Sequence, residues 1–213
     1  MNLPNKLTVM RMALVPVFIA CYFFAYEGYV SRLVSSAALD MAAVTRAAAL
    51  ATSALAVFAA AALTDALDGQ IARKRGLVTN FGKLMDPLAD KVLTCAAFVC
   101  FVDTGRMAAW MLIVILAREF AITGLRSVAA SEGVVIAAGM SGKLKTVLQM
   151  ASVLFVLLGF IFEIAALGGN IIFSNLCGAF SMIGTVALYA AVAATIWSGA
   201  EYLWKGRKLL NMR

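Results

Sequence analysis

Six long apolar stretches alternate with short polar connections along this chain. They cover approximately residues 8–26, 47–67, 87–102, 107–130, 147–167 and 176–198. A helix that crosses a membrane needs about 20 predominantly apolar residues, and only the third stretch, with 16, falls clearly short. Extending that stretch back to about Asn80 gives it the required length. The pattern therefore predicts six transmembrane helices in one domain, residues 1–213.

Composition supports this interpretation. Of 213 residues, 63% are hydrophobic and 14% are charged, with a mean hydropathy of +0.94. Soluble domains have about 45–50% apolar and about 25% charged residues, so a water-soluble globule is excluded, and so is a disordered chain. The predicted fold class is an all-α polytopic membrane protein. Because the chain has no histidine, any general base must be a carboxylate or a lysine.

The distribution of basic residues predicts the orientation of the chain. Fifteen of the 18 Lys and Arg residues lie in the N-terminus, the 68–91 connection, the 118–145 segment and the C-terminal tail. Only Arg32, Arg46 and Arg106 lie on the opposite side. Such an excess marks the cytoplasmic side, so both termini are expected in the cytoplasm of a multi-pass cell-membrane protein. The net charge of +7 forms no single long patch, which argues against a nucleic-acid partner.

Four carboxylates lie within 26 residues, at the end of the second predicted span and the start of the third. They are Asp65, Asp68, Asp86 and Asp90. At about 100° per residue, the first pair lies about 60° apart on its helix and the second pair about 40°. Four carboxylates near hydrocarbon need compensation, and oxygen ligands favour Mg²⁺ or Mn²⁺, which could bind here as a pair. The alternative is that each Asp caps a helix or pairs with a nearby basic residue.

The residues between these carboxylates suit a phosphate ligand. Gly69 and Ala72 remove side-chain bulk from the acidic face, and Arg73 supplies a forked donor that fits phosphate geometry. The alternative for the two small residues is close helix packing, which they also serve in membranes.

This pattern resembles a known family signature. The spacing Asp65-x2-Asp68-Gly69-x2-Ala72-Arg73-x8-Gly82-x3-Asp86-x3-Asp90 is similar, without a departure, to that of the CDP-alcohol phosphatidyltransferase family. The resemblance implies six transmembrane helices, a homodimer, and transfer of a phosphatidyl or similar group from a CDP-linked donor to an alcohol, with release of CMP. It also implies that the four Asp residues bind two metal ions and that Asp90 is the general base.

The same resemblance implies a nucleotide site. Gly69, Arg73 and Thr79 would lie against the nucleotide and its diphosphate. The N-terminal Asn5-x2-Thr8-x2-Arg11 resembles the start of the family's first helix, which borders the cytidine site. The alternative for Asn5 and Thr8 is an ordinary helix cap beside a basic membrane anchor.

A second basic segment bears on the acceptor alcohol. Arg118 and Arg126 lie eight residues apart, about 80° around a helix, and Lys143 and Lys145 open the fifth span. Four cations beside an acidic metal site could bind the phosphate of an anionic acceptor. The alternative is that they anchor the protein at the membrane surface and contact lipid phosphate.

Three segments indicate which members of the family this chain resembles. REFAITGLR, SGKLKT and NFGKLMDPLADKV are similar to the bacterial phosphatidylglycerophosphate synthases of the family, over most of residues 1–150. The last two spans, being generic apolar helices, add little. The resemblance implies CDP-diacylglycerol as donor, glycerol 3-phosphate as acceptor, and an active site facing the cytoplasm, with membrane lipid around it.

Other functions stay open. The acceptor could instead be inositol phosphate or phosphatidylglycerol. A cation transporter would require acids near the midplane of several spans, whereas these gather at one edge, and a non-catalytic scaffold would leave the four carboxylates unexplained.

Overall fold

The structure, a computed structural model, is all-helical over the part of the chain that it describes. The backbone is described for residues 3–34, 40–75, 80–131 and 139–210, and side chains for 9–33, 40–64, 91–129 and 139–204. The helices are α1 (Leu3–Val34), α2 (Met41–Arg75), α3 (Asn80–Asp103), α4 (Ala109–Ser131), α5 (Met140–Ala166) and α6 (Ile171–Leu210). Each predicted apolar stretch corresponds to one helix, and α3 begins at Asn80, as its length required.

Four helices are long and apolar enough to cross a membrane. The segments are Val9–Leu33, Met41–Thr64, Met140–Ala166 and Ile171–Trp204, among the residues whose side chains are described. The fourth helix differs because it carries Arg118, Glu119 and Arg126 along its length, and in α3 the described side chains begin only at Lys91. The all-α architecture is confirmed, with four helices that could cross a membrane, whereas six spans and cytoplasmic termini stay predictions.

Aromatic side chains form the centre of the bundle. Tyr22 of α1 is fully buried, and its ring centroid lies 5.8 Å from that of Phe101 on α3 and 5.3 Å from that of Phe160 on α5. The Tyr22 hydroxyl and Thr104 Oγ1 are hydrogen-bonded at 2.8 Å, so the phenol's polar atom is satisfied. This cluster joins α1, α3 and α5 into one core.

The contact between α5 and α6 is the most extensive of any helix pair in the described structure. Two glycines allow it. A Cβ atom on Gly159 would lie 3.2 Å from the backbone nitrogen of Ser181, and one on Gly184 would lie 3.0 Å from Cγ2 of Val156. Larger residues at these positions would push the helices apart, and small residues at helix interfaces are the usual means of close packing in membranes.

An ion pair joins the helix ends on the side opposite to most of the basic residues. Arg106 Nη1, between α3 and α4, lies 2.7 Å from Oε2 of Glu163 on α5. The Tyr29 hydroxyl of α1 donates to Oε1 of the same carboxylate at 2.6 Å, and the Arg106 guanidinium lies 4.3 Å from the Phe160 ring centroid. At this end of the bundle, the positive charge of Arg106 is therefore balanced by the carboxylate of Glu163.

Candidate functional site

A cavity of about 670 Å³ opens between α3, α4, α5 and α6, at the end of the bundle away from Arg106. Its lining is strongly basic. The charged residues in the lining are Lys91, Arg118, Glu119, Arg126, Lys143 and Lys145. Five cations and one carboxylate give the described part of this lining a formal charge of +4, which suits an anionic ligand.

Glu119 lies at the centre of these cations and is only 7% exposed. It accepts a hydrogen bond from the Lys145 ammonium, itself 5% exposed. Its Oε1 is 3.3 Å from Nη1 of Arg118, and its Oε2 is 3.6 Å from Nζ of Lys91. A carboxylate in an apolar helix is stable only when it is paired, so these three contacts explain why α4 can bury one.

Arg118 is held between α4 and α6. Its side chain is 11% exposed. Its Nη2 donates to Oγ of Ser198, and its guanidinium carbon lies 5.6 Å from the centroid of the Tyr202 ring. The buried Nε of Arg118 has no hydrogen-bond partner within the described residues, so this guanidinium keeps donor capacity for a ligand.

Arg126 meets the same tyrosine. Its Nη2 donates to the Tyr202 hydroxyl at 2.6 Å, and its guanidinium carbon lies 5.3 Å from the ring centroid. Arg126 and Lys143 are both exposed where they line the cavity. The four basic residues that the sequence singles out for an acceptor phosphate therefore line one cavity, and their binding of that phosphate stays a prediction.

Sequence reasoning did not select three groups that shape this cavity. Glu119 could have been found, because a single acid inside an apolar helix must have cationic partners nearby. Ser198 and Tyr202 carry no signal in the sequence, since a serine and a tyrosine are ordinary residues near the end of a membrane helix. Their role depends on how α6 lies against α4.

The predicted metal ligands lie at the ends of two helices that the structure does contain. Asp65 and Asp68 belong to the last part of α2, and Asp86 and Asp90 to the first part of α3. Their side chains lie outside the described residues, as do those of Asn5, Thr8, Gly69 and Arg73, and all of Thr79. Among the side chains that are described, no group of three or more Cys, Asp or Glu could hold a metal ion. The metal site stays a prediction.

The donor chemistry of that predicted site fits a hard divalent cation, because all four side chains are carboxylates.

The alternative for the four Asp residues was that they pair with basic neighbours. Lys91, which follows Asp90 directly, is one of those neighbours. Its ammonium donates to Oγ1 of Thr123 at 2.5 Å and faces Glu119, so Lys91 has partners on α4.

Known proteins resemble this chain over nearly its whole length. The model of the CDP-alcohol phosphatidyltransferase family matches residues 1–197. A Bacillus subtilis (strain 168) protein named CDP-diacylglycerol--glycerol-3-phosphate 3-phosphatidyltransferase is 40% identical over 99% of both chains. The Rickettsia bellii protein of that name is 33% identical over 94% of this chain and 93% of its own. The Mycoplasma genitalium protein of that name is 36% identical over a shorter stretch, which covers 68% of this chain and 60% of its own.

Proposed function

The chain belongs to the CDP-alcohol phosphatidyltransferase family, and we propose that it transfers the phosphatidyl group of CDP-diacylglycerol to glycerol 3-phosphate. The products are phosphatidylglycerophosphate and CMP. The names of relatives that cover this chain from end to end support both substrates. The structural observation that carries the choice of acceptor is the basic cavity around Glu119.

The cavity favours an acceptor that carries a phosphate. After Glu119 neutralises one cation, a formal charge of +4 is left among the lining residues that the structure describes. Arginine donors bind phosphate oxygens in pairs, and a phosphate carries up to two negative charges that these cations can balance. Serine, whose own charges cancel, and unphosphorylated inositol would leave that excess of positive charge without a balancing anion. In this proposal Arg118, Arg126, Lys143 and Lys145 bind the acceptor phosphate.

The donor is proposed to bind where α2 and α3 meet. Asp65, Asp68, Asp86 and Asp90 would hold two divalent cations, Mg²⁺ or Mn²⁺. When bound, such ions neutralise charge on a diphosphate and on the departing CMP. On the donor side, Asn5, Thr8, Gly69, Arg73 and Thr79 would contact the nucleotide and its diphosphate.

Asp90 is proposed as the general base. Its carboxylate takes the proton from a primary hydroxyl of glycerol 3-phosphate. That oxygen forms a bond to the phosphorus nearest the lipid, and the bond from this phosphorus to the CMP oxygen breaks. Asp90 lies four residues before Thr94, which lines the cavity, so the helical repeat of α3 places both positions on the same side. This supports a base next to the acceptor site.

The proposed setting is the cytoplasmic face of the cell membrane. Fifteen of the 18 basic residues belong to segments at the cavity end of the bundle, which the positive-inside rule assigns to the cytoplasm. There the acyl chains of the donor stay in the lipid while the nucleotide and glycerol 3-phosphate come from water. Six spans and a homodimer, which the family resemblance implies, belong to the same proposal.

The test is the release of CMP by purified protein in detergent micelles containing CDP-diacylglycerol. We expect release with glycerol 3-phosphate and Mg²⁺, loss of release with a chelator, and recovery with added Mg²⁺ or Mn²⁺. Inositol phosphate, serine and phosphatidylglycerol serve as competing acceptors in parallel assays. Faster release with any of these acceptors would overturn the choice of glycerol 3-phosphate, and no release with any of them would overturn the reaction class.

A further inference from the structure

The C-terminal part of α6 holds both cavity arginines, although it lies beyond residues 1–197, which the family model matches. Ser198 is fully buried and accepts the hydrogen bond from Arg118. Tyr202 is 5% exposed, and its hydroxyl accepts from Arg126 at 2.6 Å. One turn of α6 therefore touches two cations from different turns of α4.

The Tyr202 ring makes a cation–π contact with the guanidinium groups of both Arg118 and Arg126. Their central carbons lie 5.6 Å (Arg118) and 5.3 Å (Arg126) from the ring centroid. A cation within about 6 Å of an aromatic face is attracted by the ring's negative charge density. Two like charges on one ring repel each other, and an anion that binds both relieves that repulsion. The arrangement thus presents a pair of forked donors to one ligand.

Two further contacts fix this arrangement. Gly199 has no side chain, and a Cβ atom there would lie 3.3 Å from Cγ of Arg118, so the glycine lets the arginine stem lie against α6. The Tyr202 hydroxyl also accepts from the backbone N–H of Gly139 at 3.1 Å, directly before α5 begins. Through that bond the tyrosine also fixes the start of the helix that carries Lys143 and Lys145.

We propose that Ser198 and Tyr202 are positioning residues that set Arg118 and Arg126 for the acceptor phosphate. The inference rests on the proposed function, since it assigns a purpose to the acceptor cavity. Neither residue takes part in bond making. The turn of α6 that carries Ser198 and Tyr202 then determines how tightly this enzyme binds a phosphorylated acceptor. It is a determinant of acceptor specificity that lies outside residues 1–197, the part of the chain that the family model matches.

The experiment compares Tyr202→Phe with the unchanged protein in the CMP-release assay. The variant keeps the ring and loses only the hydroxyl that accepts from Arg126 and Gly139. A hydrogen bond to a charged group corresponds to about tenfold or more in binding, so we expect KM for glycerol 3-phosphate to rise about tenfold. The KM for CDP-diacylglycerol should stay unchanged, and the thermal unfolding midpoint should fall only by what loss of the acceptor for the Gly139 N–H costs. A purely structural role would instead raise the KM values for both substrates together.

Tyr189→Phe is the matched control. Tyr189 is on the same helix, is 55% exposed, and its ring lies 6.4 Å from that of Trp110, away from the cavity lining. Its variant should leave both KM values unchanged. If the Tyr202→Phe protein does not fold, Ser198→Ala removes the other α6 contact and should raise KM for glycerol 3-phosphate alone.

A double-mutant cycle tests whether the tyrosine acts through the arginine. In an Arg126→Ala background, Tyr202→Phe should change KM by less than about twofold, because its charged partner is already gone. Equal effects in both backgrounds, or a normal KM in both Tyr202→Phe and Ser198→Ala, would overturn the inference. Those outcomes differ from a failure of the proposed function, in which the unchanged protein itself shows no release that depends on glycerol 3-phosphate.

Discussion

Glu119 and Lys145 form a buried pair, yet removing either one should have very different consequences. If Lys145 is changed to Met, Glu119 still has Arg118 and Lys91 within 3.6 Å. If Glu119 is changed to Gln, three cations lose the one carboxylate that they contact within the described structure. We therefore expect Glu119→Gln to destabilise the protein much more than Lys145→Met does.

The magnitude follows from the contacts. At an effective dielectric constant of about 20, two unit charges about 3.5 Å apart attract by about 5 kcal/mol, and desolvation offsets much of that attraction. Removing one partner of a buried pair typically lowers the free energy of unfolding by about 3–5 kcal/mol, which is our expectation for Glu119→Gln. For Lys145→Met we expect about 1 kcal/mol, because the carboxylate stays paired. The double variant, with two cations left instead of three, should be more stable than Glu119→Gln alone.

The free energy of unfolding can be measured by titrating a denaturing detergent into micelles that contain the protein, with tryptophan fluorescence as the signal. Glu27→Gln is the control, since Glu27 is exposed on α1 and its variant should fall within about 0.5 kcal/mol of the unchanged protein. Equal losses for the two single variants, or a larger loss for Lys145→Met, would refute the view that Glu119 compensates several cations at once.

Three further variants and one control variant separate effects on the reaction from effects on stability. Asp90→Asn should abolish CMP release at an unchanged unfolding midpoint, whereas Asp103→Asn, an exposed position at the far end of α3, should stay active in the same assay. Glu163→Gln should lower the free energy of unfolding by about 1–3 kcal/mol through loss of the Arg106 contact, with KM for glycerol 3-phosphate unchanged. Gly184→Val should lower the unfolding midpoint, because its Cβ would already be 3.0 Å from the facing α5 side chain, and detergent titration would show a loss of about 1–3 kcal/mol.

The helices were predictable because a helix that crosses lipid must be apolar along the length that crosses it, and such a stretch is visible in the sequence. Each apolar stretch corresponds to one helix, and the short third stretch needed the extension to Asn80 that α3 shows. The ends were less accurate, since hydropathy detects only the part of a helix that lies in hydrocarbon. A 40-residue helix such as α6 is about 60 Å long, roughly twice the thickness of that layer, so its last turns continue past the apolar stretch.

The site was predictable only where its residues share one helix. Helical periodicity places Arg118 and Arg126 on one broad face of α4, and both do meet the same ring. That ring belongs to Tyr202, 76 positions after Arg126 in the chain, and no periodic pattern gives the register of α6 against α4. The side chain of Asp90 lies outside the described residues, so its predicted role rests on the family signature and on the helical repeat of α3.

The two ends of the bundle differ in how their basic residues are balanced by carboxylates. This difference argues for an anionic ligand in the cavity. At one end Arg106 has Glu163 as its carboxylate, so the pair is neutral. At the other end, among the residues whose side chains the structure describes, Glu119 is the one carboxylate that lines a cavity with five cations. Orientation in the membrane would need only exposed basic residues such as Lys143, yet Arg118 and Lys145 are largely buried and share the one carboxylate of Glu119, which leaves one buried positive charge unbalanced among the described residues. We therefore expect a negatively charged group, such as the phosphate of the proposed acceptor, to enter the cavity and balance that charge.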